Sequence, residues 1–125
     1  AKKLDLDFSK AEKAKIICGF DSRIGKGVIK KILEPELKKL ATKITESINF
    51  YQREHSDQKK VEKIILTGGV SRMKKIAEEL NKLLDVKIEN GNPYTNLPLL
   101  NKMQKIPQNK ISSYPTALGL ALRIK

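Results

Sequence analysis

Apolar residues recur along this chain in two rhythms, and the points where one gives way to the other mark out its elements. Leu37, Leu40, Ala41, Ile44, Ile48 and Tyr51 follow one another at three- and four-residue intervals, the stripe of a long amphipathic helix from Pro35 to near His55. Pro35 suits its first turn, where the amide that proline lacks would have no partner. Val28 to Glu34 is then a separate short helical stretch or a strained lead-in. Upstream, Ser9 and Glu12 have the spacing of a capping box, and Ala11, Ala14, Ile16, Ile17 and Cys18 predict a short helix that stops near Gly19. Gly19 to Gly27 reads as a loop.

The rhythm changes after Val61. Ile64-Ile65-Leu66, closed by Gly68-Gly69, predicts a short buried strand and a tight turn. Met73, Ile76, Ala77, Leu80, Leu83 and Leu84 restore helical spacing from Ser71 to Leu84, and Val86-Lys87-Ile88-Glu89 alternates like a second strand. Strand, helix and strand at this spacing form a βαβ unit, with parallel strands and a right-handed crossover. Asn90-Gly91-Asn92-Pro93 is turn chemistry, and it opens a long loop that runs to residue 110. A last helix starts near Ser113 or Tyr114, with Pro115 in its first turn, and carries Ala117-Leu118-Gly119-Leu120-Ala121-Leu122. That helix is apolar nearly all round and needs cover on both sides. The expected fold class is α/β, with a helical part over residues 1–60 and a βαβ unit, loop and closing helix over 61–125. Two strands leave sheet edges open, so the chain on its own is expected to self-associate or exchange strands.

Composition narrows the function. The 125 residues, 39% apolar and 32% charged, fit one folded domain rather than a disordered segment. No apolar run approaches the roughly 20 residues of a membrane span, and Ala1-Lys2-Lys3-Leu4-Asp5 is not a signal peptide; the cytoplasmic setting expected for the chain is what the family resemblance described below implies. The net charge is +12, but residues 1–60 and 61–125 each carry +6 of it. With four arginines, no Trp and three each of Tyr and Phe, the fork donors and stacking platforms of nucleic-acid sites are scarce. A lysine-rich solvated surface accounts for the charge, and a basic nucleic-acid or membrane-surface module is the alternative.

Few residues could carry chemistry. The single Cys18 and single His55 form neither a disulfide nor a zinc cluster; Cys18 reads as a small buried hydrophobe and His55 as a solvated helix end. Gly25-Lys26-Gly27 is no phosphate loop, because Phe20 stands where the earlier glycine is needed and no Ser or Thr follows the lysine. Gly68-Gly69 is more suggestive. Paired glycines between a strand and a helix let a flat ligand approach the backbone beside unpaired helix amides, although a plain turn has the same spacing.

Ile64 to Met73 resembles the adenosine motif of the actin-like ATPase superfamily, a hydrophobic strand ending in Thr-Gly-Gly before a helix. Ala11-Glu12-Lys13-Ala14-Lys15 with Gly19 is similar to the Ala-Glu-x-x-Lys helix that lies across the nucleotide from that turn. Val86 to Tyr94, with its Gly91-Asn92-Pro93-Tyr94 turn, and Tyr114 to Arg123 resemble the PilM family of type IV pilus assembly proteins. The likeness departs at Val70, where a third glycine is usual, and over Leu97 to Lys110. It implies part of an actin-like, ribonuclease H-like second lobe, and ATP as cofactor. Gly68, Gly69 and Ser71 would form the floor beneath adenosine, Arg72 or Met73 would border the base, Glu12 would accept hydrogen bonds from ribose, and Lys15 would lie one turn along. For Glu12 helix capping is the competing account, and for Lys15 plain solvation. The family's phosphate hairpins and Mg²⁺ carboxylates have no counterpart in this sequence, which therefore is expected to be a C-terminal piece without hydrolytic activity alone. The resemblance further implies a PilN-like cytoplasmic tail as partner, mainly through another lobe, at the inner membrane; a division scaffold resembling FtsA is the alternative within the superfamily.

Overall fold

A computed structural model describes residues 4–55, 60–94 and 114–123. The elements in chain order are α1 (Phe8–Cys18), α2 (Val28–Glu54), β1 (Lys63–Leu66), α3 (Ile76–Asn81), β2 (Lys87–Asn90) and α4 (Pro115–Ala121), with 3-10 turns at Gly25–Gly27 and Val70–Arg72. The α/β expectation holds, as helices around a two-stranded parallel sheet.

Helix α1 is capped by Asp7, whose carboxylate accepts the Ser9 amide at 3.1 Å. The capping box expected from Ser9 and Glu12 does not form; Ser9 already lies inside the helix, and the Glu12 carboxylate accepts from Lys15 Nζ at 2.7 Å instead. The helix ends at Gly19, as its spacing predicts. Between α1 and α2, Gly25, Lys26 and Gly27 all have positive φ, so the glycines of this connector are needed for its left-handed path.

Pro35 does not start a helix. Val28–Glu54 is one continuous helix of 27 residues with the proline inside it. The cost is confined to the bond that a residue-35 amide would have donated to Lys31. Both residues are exposed, so water can serve the freed carbonyl. The predicted end near His55 is observed, with the His55 amide bonded to the Tyr51 carbonyl and the two rings 4.8 Å apart.

The helical spacing from Ser71 to Leu84 resolves into two pieces. After the 3-10 turn, Met73 is extended and Lys75 takes a left-handed φ of 61°. Two bonds, one local and one from a distant part of the chain, account for the break. The Ser71 hydroxyl donates to the Gly68 carbonyl at 2.8 Å, tightening the turn, and the Lys74 carbonyl accepts from the Phe20 amide at 2.9 Å rather than from a later residue of its own helix.

One core cluster joins the halves of the chain: Phe20, Leu37, Ala41, Met73, Ile76, Leu80 and Ile88 are buried together, with Leu33, Ile44, Ile64, Leu66 and Leu84 packed against them. The strands pair in register from Lys63 with Lys87 to Leu66 with Asn90. Ile64, Leu66 and Ile88 face the core, whereas Ile65 is 56% exposed. The expectation of a strand buried on both faces is thus corrected: only one face of the sheet is covered among the described residues. At the far edge the Asn81 side-chain amide donates to the Ile88 carbonyl at 3.1 Å, and its oxygen accepts the Ile88 amide at 2.9 Å. These Ile88 groups point away from β1, so Asn81 caps the edge of β2.

The turn expected over Asn90 to Pro93 comes later: Asn90 still pairs with Leu66 as the last residue of β2, and the chain turns at Pro93 and Tyr94. Gly91 lies so close to β1 that a Cβ would stand 2.7 Å from Ile65 Cγ2, and Asn92 Oδ1 accepts the amide of the buried Tyr94. The long loop up to residue 110 lies outside the described residues. Pro115 opens α4, but no residue of that helix is buried, so the cover it needs is not supplied by the described residues.

Of the glycines, the one set closest against another stretch of backbone is Gly19, where a Cβ would sit 2.5 Å from the Lys74 carbonyl oxygen and 2.6 Å from its nitrogen, at φ +48°. Gly19→Ala is expected to cost about 1–3 kcal/mol in a denaturant titration, whereas Gly69→Ala, at φ −63° with no atom within 4 Å of the added methyl, should be neutral or slightly stabilising.

Candidate functional site

The two sequence motifs meet through a joint rather than by direct contact. Helix α1 carries Glu12 and Lys15 and delivers Gly19 onto the Lys74 peptide. Lys74 in turn follows the Gly68-to-Arg72 turn by two residues. Gly19 lies one turn, about 6 Å along the helix axis, beyond Lys15. The α1 face and the glycine turn are therefore tethered at a common point.

Within the turn, each residue has a distinct environment. Gly68 has φ +81°, which the backbone path itself demands. Gly69 has an ordinary helical φ of −63° and open space where a side chain would begin. Nothing among the described residues requires glycine there. Ser71 is buried and bonded back to Gly68, and Met73 is turned into the core cluster. Arg72 is half-buried, and its Nε is enclosed without a hydrogen-bond partner. An enclosed guanidinium nitrogen with no acceptor is costly. Of the two residues expected to border a base, the structure turns Met73 inward and leaves Arg72 with the unsatisfied donor.

Glu12 and Lys15 are partly exposed and paired with each other at 2.7 Å. They line a hollow of about 150 Å³ between α1 and α2 with Phe8, Ile29 and Leu33, and no residue from Gly68 to Met73 lines that hollow. The glycine turn and the Glu12–Lys15 face thus do not enclose one common cavity in this structure. Among the described residues, no three His, Cys, Asp or Glu side chains gather as a metal-binding group, and no helix is long and apolar enough to cross a membrane. Cys18 is free and half-buried, and His55 is exposed.

Asp21 was not singled out by sequence spacing, yet it is the most heavily bonded acid of the molecule's described part. It is 1% exposed. Its Oδ1 accepts the Arg23 amide at 3.1 Å and Arg23 Nε at 3.0 Å, its Oδ2 accepts Arg23 Nη2 at 2.9 Å, and Lys74 Nζ lies 3.4 Å away. The legible signal was an aspartate two residues after a helix-ending glycine and two before an arginine, the pattern of a side chain that bonds the backbone ahead of it. The Arg23 hydrogen bonds, with help from Lys74, outweigh burial and hold the Asp21 carboxyl well below the usual carboxylate range.

The sign of the resulting pH dependence follows. Because the folded state lowers this pKa, the stability that Asp21 contributes is fully present above about pH 4, the range of an unfolded aspartate. It is lost as the solution is acidified below that point. Thermal melts between pH 7 and pH 2 should show a fall in Tm that is shallower in Asp21→Asn than in the parent chain.

Comparison with known proteins gives one match. The family model for the type IV pilus assembly protein PilM covers residues 1–125. No curated protein and no solved structure matches the chain.

Proposed function

This chain belongs to the PilM family of type IV pilus assembly proteins, and from that premise we propose that it supplies the adenosine side of an ATP site. The observation that carries the reading is the open backbone at Gly69, where a Cβ would meet nothing among the described residues, three residues before the half-buried Arg72. A nucleobase laid against that backbone offers acceptor nitrogens to the guanidinium and a flat face for it to stack on. The residues present suit such a group on the base side. Glu12 lines a separate hollow, so in this proposal its carboxylate accepts from ribose hydroxyls only when the ligand spans from the glycine turn to the α1 face, in partial exchange for its pairing with Lys15.

The chemistry of phosphoryl transfer depends on electrostatic clamps for the transferring group. The proposal assigns these, with Mg²⁺, to other segments of the longer protein; this chain binds and orients the nucleoside and does not hydrolyse ATP by itself. The likeness to actin-like ATPases, a cytoplasmic position at the inner membrane and engagement of a PilN-like cytoplasmic tail through another lobe belong to the same proposal. Among the described residues β1 has one strand neighbour and α4 has no cover, which favours self-association of the chain where those neighbours are missing.

Calorimetry with ATP on the PilM-family protein that contains this segment tests the reading. Gly69→Leu should abolish binding and Arg72→Met should weaken it about tenfold, equivalent to about 1.4 kcal/mol, with thermal stability retained. Affinity should vary little for adenosine between low and high salt, whereas a basic polyphosphate-binding surface would lose affinity steeply. Unchanged ATP affinity in Gly69→Leu sinks the proposal.

A further inference from the structure

Asp21 is a buried acid to which neither the nucleoside reading nor the family match gives a task. Its location is unusual in one respect: it bonds residues that adjoin both parts of the chain that the nucleoside reading uses, the end of α1 and Lys74, two residues past the glycine turn. On its own side, its amide donates to the Cys18 carbonyl at 3.0 Å and its carbonyl accepts the Ile24 amide at 3.1 Å, so it is fixed to the end of α1. Arg23 closes on the carboxylate with two side-chain bonds and one backbone bond. On the other side, Lys74 reaches the same carboxylate with its ammonium, while the Lys74 carbonyl holds the Phe20 amide and the Lys74 peptide packs on Gly19. The acid therefore closes a short ring: Gly19, Phe20 and Asp21 grip one residue, Lys74, through a packing contact, a backbone hydrogen bond and an ion pair.

From this arrangement we infer that Asp21 is the positioning residue of the nucleoside site, the group that fixes the α1 face bearing Glu12 and Lys15 relative to the Gly68-to-Arg72 turn. The inference rests on the nucleoside reading for what is positioned, but the joint itself stands on the bonds above. Two motifs from distant parts of the sequence act on one ligand only if their separation is held, and a displacement of about 1 Å is enough to lose much of a site's effect. A hydrogen bond between backbones sets the distance at one point and leaves rotation about it free. A second, charged contact beside the first removes that rotation. Arg23 holds the carboxylate in the orientation from which it reaches Lys74, a fork that lysine could not reproduce.

The test separates position from stability. Cysteines placed at the exposed positions Lys13 and Val70, in a Cys18→Ser background of the PilM-family protein, carry spin labels whose distance distribution is read by pulsed electron resonance. The parent should give one narrow distribution. Asp21→Asn should broaden or shift it with helical circular dichroism retained, and Lys74→Met, which spares the Arg23 pairing, should do so to a smaller extent. ATP affinity should fall about tenfold in Asp21→Asn. If Asp21→Asn fails to fold, Lys74→Met decides. Unchanged distributions in the folded variants overturn the inference, as does a broadened distribution with undiminished ATP affinity. If the parent binds no ATP yet the labels respond, the nucleoside reading falls while the joint between the two motifs stands.

Discussion

The structure depends on the grip of Gly19 and Phe20 on the peptide of Lys74. That peptide is approached at distances only a glycine allows, and its carbonyl is taken by an amide from a different part of the chain. The consequences spread outward. The helix that residues 71–84 would otherwise form is cut short, Phe20 is carried into the core beside Met73 and Ile76, and the helical part is bound to the βαβ unit as one body. Core burial supplies most of the stabilising free energy, but the grip decides which surfaces meet.

Much of the fold was legible because the relevant signals are local. Gly19 ends α1, Gly68-Gly69 follows β1, and the chain turns soon after β2, at Pro93 and Tyr94. What sequence misjudged was decided by solvent, by a competing neighbour or by a distant partner. Pro35 looked like a helix start because proline is commonest there, yet an exposed helix surface tolerates the missing bond. Ser9 and Glu12 matched a capping box, but Asp7 captured the cap two residues earlier and Lys15 captured Glu12. Ile65 looked buried by type alone, since nothing in a four-residue strand tells how many of its faces are covered. Of the candidate site, the contrast between Gly68 and Gly69 and the unsatisfied Arg72 donor required coordinates, as did Asp21, whose partner Lys74 is 53 residues away.

The large positive charge also takes a different meaning once side chains are placed. Several acids hold more than one base: Glu79 pairs with Lys30 and Lys82, Glu89 with Lys63 and Lys87, and Asp21 with Arg23 and Lys74. Pairs such as Lys39 with Glu36, both largely exposed, add little stability. The Lys30 to Glu79 pair, by contrast, is mostly shielded and links α2 to α3. The basic excess is thus interleaved with acids over the surface, in keeping with the even division of charge between the two halves.

The Asn81 amide that covers Ile88 gives this small sheet a polarity of growth. Hydrogen-bonding capacity is spent on one flank and kept on the other, so any strand that enlarges the sheet must enlist beside Lys63–Leu66 and cannot enlist beside Lys87–Asn90 without first evicting a side chain. A single asparagine thereby makes the second strand a terminus and the first an interior member in waiting.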